Sequence, residues 1–134
     1  MRKFRLYGTK YDPYVYGCDG HMELVGRATE YTENIKLLYK WLLKYEGDNI
    51  LFKIKLDYMA SHPKHTLMSI FKKLQEYHDE GKKVKVYWIY EHDDEDNKED
   101  GEDMQRLYRI DFQVLIDKNY LREIKLKRIL LDDV

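Results

Sequence analysis

The stretch Ile50-Leu51-Phe52-Lys53-Ile54-Lys55-Leu56-Asp57-Tyr58-Met59-Ala60-Ser61-His62-Pro63 changes character part-way along, and that change decides the fold. In its first half, Phe52, Ile54, Leu56 and Tyr58 alternate with Lys53, Lys55 and Asp57, the pattern of a strand with one wet face. Beyond Pro63 the apolar residues fall at Leu67, Ile70, Phe71, Leu74 and Tyr77, a helical stripe that Gly81 brings to a stop. The helix is entered through Ser61-His62-Pro63. Proline is tolerated in a first helical turn and biases the residue before it away from helical geometry, so Ser61 or His62 is expected in the cap region.

Reading outward, the same alternation of periods recurs on both sides. Phe4 to Tyr7, Tyr14 to Cys18 and His21 to Val25 read as short strands, the last two joined by Asp19-Gly20, a strong hairpin signal. Ile35, Leu38, Leu42 and Tyr45 then mark a first helix, capped by Thr29 or Thr32 and followed by Gly47. After Gly81, Val84, Val86, Trp88 and Tyr90 line one side of another strand, Met104 to Tyr108 reads as a short helix, and Phe112, Val114 and Ile116 alternate again. The expected fold is α/β: a single mixed sheet with an N-terminal antiparallel hairpin and β-α-β-α-β order, helices packed on the sheet. Residues 1–117 form the expected domain, and 118–134 a C-terminal extension, extended or irregular in conformation.

The chain has 134 residues, 43% of them apolar and 37% charged, which suits one compact domain and excludes two full enzyme domains. A formal charge of −1 gives no reason to invoke nucleic acid or an anionic membrane. That balance hides a segregation. Residues 91–103 carry nine acidic side chains and one lysine, a net −8, and the 23 basic and 16 acidic residues elsewhere leave +7. Glu91, Asp93, Asp94, Glu95 and Asp96 open this block, which is expected to be a solvated, self-repelling loop. The 13 tyrosines are expected to pack at sheet margins.

The sequence contains no convincing catalytic arrangement. The seven glycines sit singly and form no phosphate-binding loop. Cys18 and His21 straddle a turn without an orienting partner, and His62 with His65 lacks further ligands nearby. An EF-hand register on Gly101 puts Leu107 where a liganding oxygen is required. No catalytic residue, metal or cofactor is therefore expected. One cysteine, no apolar leader and no membrane-length apolar run make the cytoplasm the expected compartment.

Several stretches together resemble the SiaC family of bacterial regulatory phosphoproteins. They are Leu56-Asp57-Tyr58 before the second helix, Gly81-Lys82-Lys83-Val84 before a strand, Trp88-Ile89-Tyr90-Glu91-His92-Asp93-Asp94-Glu95-Asp96, and Gly101-Glu102-Asp103 with the Phe112 strand. The resemblance covers about residues 4 to 117 and implies a fold similar to anti-sigma-factor antagonists (STAS-like). It also implies a non-catalytic partner switch: a hydroxyl residue at the start of the second helix is phosphorylated by a dedicated kinase and released by a PPM-type phosphatase. The unphosphorylated form binds and activates a diguanylate cyclase. The family's run there is similar to Leu-Asp-Tyr-Leu-Asn-Thr-Ser-Ser, so Ser61 falls on the phosphorylated threonine, while Ala60, His62 and Pro63 replace an asparagine and two serines. Tyr58, Met59, Ala60, Ser61, His62 and His65 are the expected partner-binding residues. The alternative is a constitutive scaffold that uses its acidic block to meet a basic partner, with no phosphoswitch.

Overall fold

A computed structural model describes residues 3–30 and 32–117, so the expected C-terminal extension lies outside the described residues. The order is β1 (Phe4–Leu6), β2 (Tyr14–Cys18), β3 (His21–Ala28), α1 (Asn34–Leu43), β4 (Asn49–Met59), α2 (Ser61–Asp79), β5 (Lys83–Tyr90), α3 (Glu95–Leu107) and β6 (Asp111–Ile116). The six strands form one sheet in sequence order, antiparallel from β1 to β3 and parallel from β3 to β6. Each crossover steps in the same direction, so a common handedness puts α1, α2 and α3 on one face.

That face holds the core. Met22 and Leu24 of β3, Phe52, Ile54 and Leu56 of β4, and Val86 and Trp88 of β5 meet Ile35, Leu38 and Leu42 of α1 and Leu67, Ile70, Phe71 and Leu74 of α2. Phe71 meets Phe112 edge-on, with ring centroids 5.4 Å apart, and Phe112 stacks against Trp88. Along β4 the predicted alternation holds through Leu56. The turn at Asp19-Gly20 has positive φ at both residues, 48° and 86°, as a two-residue hairpin requires. Gly81, at φ 97°, ends α2 in a Schellman motif: its N–H donates to the His78 carbonyl and that of Lys82 to the Tyr77 carbonyl.

Three expectations need correction. First, neither Thr29 nor Thr32 caps α1. A carboxylate from the β1–β2 connection does so, because Asp12 Oδ1 accepts the Glu33 N–H at 2.9 Å and also the Thr32 hydroxyl. Second, the acidic block is mostly helix, and α3 begins at Glu95 rather than near Met104. Asp94 is its N-cap, accepting the Asn97 N–H at 3.1 Å, and Glu95 and Asp96 lie in the first turn, where the helix dipole favours negative charge. Of the expected acidic loop, only Glu91 and Asp93 remain ahead of the cap.

Third, Tyr58 does not share the buried face of Leu56. The β3–β4 register pairs Gly26 with Leu56 and Arg27 with Tyr58, leaving Asp57 as an extra residue. A one-residue slip turns the following side chains to the other face, and Tyr58 is 47% exposed.

Candidate functional site

The bulge at Asp57 and the switch from β4 into α2 together build a surface at the carboxyl ends of the parallel strands. In α/β sheets this is where binding sites gather, because the loops there are free of the ladder. Tyr58 leans out of the sheet beneath Arg27, whose guanidinium lies 5.0 Å from the ring centroid. Met59 is half-buried. Ala60 is buried in extended geometry (φ −75°, ψ 171°), and its N–H returns to the Ala28 carbonyl at 2.8 Å.

Ala60 is the N-cap of α2, which makes Ser61 the first helical residue, His62 the second and Pro63 the third. The expectation of Ser61 or His62 as cap is therefore displaced by one position. An alanine can occupy the cap because a carboxylate arrives from elsewhere: Glu30, in the β3–α1 connection, accepts the Ser61 N–H at 3.1 Å. The Ser61 side chain makes no capping bond and is exposed.

The sequence-predicted residues do not all converge. Ser61 and His62 are exposed at the helix start, while His65 turns toward α1 and lines a shallow groove with Tyr39, Leu43 and Ser69. Tyr58 and Met59 instead border a small cleft with Asp57, Asp94, Asp96, Asn97 and Asp100, so the opening of the acidic block does come next to the β4 end. Glu91 points elsewhere, pairing with Lys55 at 3.0 Å, and Lys55 also pairs with Asp117. Asp93 and Glu95 are exposed. Among the described residues, no group of three or more His, Cys, Asp or Glu side chains is placed to hold a metal ion.

Asn97, which sequence reasoning passed over, and Trp88 and Gly101, to which it gave no part in a site, hold this cleft in shape. Asn97 Nδ2 donates to the Leu56 carbonyl at 2.8 Å, and Trp88 Nε1 donates to the Asn97 carbonyl at 3.0 Å and to its side-chain oxygen at 3.1 Å. Gly101 lets α3 descend onto the indole, since a Cβ there would stand 2.5 Å from Trp88 Cδ1. A glycine in mid-helix, which costs about 1 kcal/mol against alanine, is the signal that could have revealed this close approach.

Docking α3 this closely partly buries Asp100, and burial pushes its carboxyl pKa up. Lys64 on α2 opposes the shift, while Asp103, Asp96 and Asp94 add to it. A carboxyl whose pKa is raised by folding binds protons more tightly when folded, so it penalises the fold increasingly as the pH rises past its unfolded pKa, and in full above its folded one. Asp100→Asn is therefore expected to raise the melting temperature at neutral pH by about 1–3 °C, a small surface-scale effect. The gain should shrink as the pH falls through the carboxylate range, and a lower melting temperature at pH 7 would contradict this account.

Comparison with known proteins agrees with this fold. A family profile described as SiaC family regulatory phosphoprotein matches residues 6–116. A chain in the crystal structure of diguanylate cyclase SiaD in complex with its activator SiaC from Pseudomonas aeruginosa superposes with a TM-score of 0.78 at 21% identity, covering 85% of this chain and 99% of that one. SiaC of P. aeruginosa gives 0.78 at 18% identity, covering 87% and 100%, and apo-SiaC from the same organism gives 0.73 at 19%, covering 87% and 99%. No curated protein matches. No described helix is long and apolar enough to cross a membrane. With a profile that spans every described strand and helix from β2 to β6, the chain belongs to the SiaC family of regulatory phosphoproteins.

Proposed function

We propose that this protein is a non-catalytic partner switch, acting in the cytoplasm, that binds a diguanylate cyclase when unmodified and is released when Ser61 carries a phosphate. The carrying observation is the Ser61 hydroxyl: exposed, outside the capping bonds, and on the first residue of a 19-residue helix beside the exposed Tyr58. Family membership supports the regulatory role, and the likeness to a complex containing SiaC and SiaD supports a cyclase as partner. In this reading a dedicated kinase adds the phosphate and a PPM-type phosphatase removes it. Tyr58, Met59, Ser61 and His62 form the docking surface, with Ala60 holding the backbone beneath them. His65 is better suited to a second contact along the α1–α2 groove.

Incubating the protein with candidate protein kinases from its own source, followed by phosphosite mapping by mass spectrometry, tests this. Modification of Ser61 is expected. Modification only at other residues, or none, would remove the switch and favour the constitutive scaffold. The scaffold reading draws its own support from the carboxylates of Asp57, Asp94, Asp96 and Asp100 gathered in one cleft.

A further inference from the structure

Free N–H groups at a helix start attract anions, and in this protein an anion is already present. Glu30 Oε1 lies 3.1 Å from the Ser61 nitrogen, the same residue whose side chain would carry the phosphate. Serine is a short side chain, so a phosphate on its oxygen stays within reach of its own helix's first N–H groups. Two anions cannot share that position without strong repulsion. We infer that Glu30 is a built-in anionic cap that a phosphate on Ser61 displaces, so that modification of α2 is transmitted to the β3–α1 connection.

What makes the displacement consequential is how that connection is tied. Thr29 is held at its N–H and its hydroxyl by the Tyr11 carbonyl, at 3.2 and 2.9 Å. The Thr32 N–H returns to the Thr29 carbonyl at 3.3 Å, and the Thr32 hydroxyl reaches Asp12 Oδ1, the same oxygen that caps α1 through Glu33. Asn34 Nδ2 donates to the Pro13 carbonyl at 2.9 Å. Glu30 therefore sits on a short bridge between the start of α2 and the start of α1. While its carboxylate holds the Ser61 N–H, that bridge is pinned at both ends. Expelling the carboxylate removes the side-chain tie to α2 and leaves only the backbone bond from the Ala60 N–H to the Ala28 carbonyl and the β3–β4 pairing upstream of Thr29, so the amides of Thr32, Glu33 and Asn34 become easier to expose.

This inference rests on Ser61 as the modified residue, but its test does not need the kinase. Phosphoserine is installed at position 61 of the full chain by genetic encoding, and amide exchange at Thr32, Glu33 and Asn34 is followed by NMR. Phosphorylation is expected to accelerate exchange there roughly tenfold in the otherwise unchanged chain, and less than about twofold in Glu30→Gln, whose side-chain oxygen still accepts but carries no charge. The phosphate's second ionisation, followed by phosphorus NMR, should also fall to lower pH in Glu30→Gln. Glu30→Ala, which removes acceptor and charge together, guards against an effect peculiar to glutamine and should likewise abolish the phosphate's influence. Equal acceleration in the two backgrounds, no acceleration in either, or identical phosphate titrations would overturn the displacement. If Ser61 goes unmodified by the kinase while the coupling is seen, the proposed switch fails and the bridge stands; modification of Ser61 without coupling is the reverse.

Discussion

Trp88→Ala is expected to destabilise the domain by about 3–5 kcal/mol, the usual cost of emptying a fully buried aromatic site. Trp88 is 1% exposed, stacks on Phe112, and is the anchor on which α3 rests. Its loss also leaves the Asn97 acceptors without their donor, which loosens the Asn97 bond to the Leu56 carbonyl. For a domain of this size the cost corresponds to a fall of roughly 12–20 °C in melting temperature.

Gly101→Ala separates packing at this site from general weakening. In the native chain the new Cβ would press on the indole at 2.5 Å, and overpacking of about 1–3 kcal/mol should outweigh the ~1 kcal/mol that alanine gains in helix propensity. In the Trp88→Ala background the obstacle is gone and only the propensity gain remains, so the same change should become neutral or stabilising. Urea denaturation of the four proteins gives the coupling energy directly. Additive effects, or a loss below about 1 kcal/mol for Trp88→Ala, would show that α3 does not depend on this contact.

The sheet and its first two crossovers were readable because burial on one face writes a period of two into strands and a three-to-four spacing into helices. Ile54, Leu56, Leu67, Ile70 and Leu74 all sit where that rule puts them. It failed wherever the deciding partner was remote in sequence. Asp57 is an extra residue only with respect to the β3 register, so nothing local to β4 announces that Tyr58 turns outward. Ser61 looked like a cap because Ser, Thr and Asp commonly are; the carboxylate that supplants it lies 31 residues earlier.

The acidic block was misread for a different reason. Repulsion among nine carboxylates argues against compact structure, but their positions matter as much as their number. Asp94, Glu95 and Asp96 lie at the positive end of α3, while Lys98 and Arg106 pair along it with Glu102 and Asp103. Gly101 and Met104 give the helix an inner side, and that sparse pattern is too short to register as a hydrophobic stripe. Charge counting gave the composition of this surface correctly and its conformation incorrectly. The composition still bears on the candidate site, since Asp94, Asp96 and Asp100 line one cleft with Tyr58 and Met59.

Phosphorylation of Ser61 is expected to weaken binding of the proposed partner by roughly a hundredfold or more, whereas Ser61→Ala should change it less than about threefold. The asymmetry follows from the site. The hydroxyl makes no capping bond, so removing it costs little in the protein itself. A phosphate adds about two negative charges and a bulky, strongly hydrated group. It does so beside a cleft that already carries Asp57, Asp94, Asp96 and Asp100, with Glu30 at the helix start. A partner shaped to cover Tyr58 and the unmodified α2 start must then strip water from the phosphate, and a loss of about 2.7 kcal/mol is modest for such a burial. Titration calorimetry with the unmodified, alanine and phosphoserine proteins reads the three affinities. Raising the salt concentration screens exposed charges beyond a distance of about 8–10 Å but does not remove the phosphate's bulk or its dehydration, so most of the loss should persist in high salt. A loss that vanishes with salt would instead mark the phosphate as a distant electrostatic brake at the rim of the interface. Tighter binding of the phosphoprotein would reverse the direction of the switch altogether.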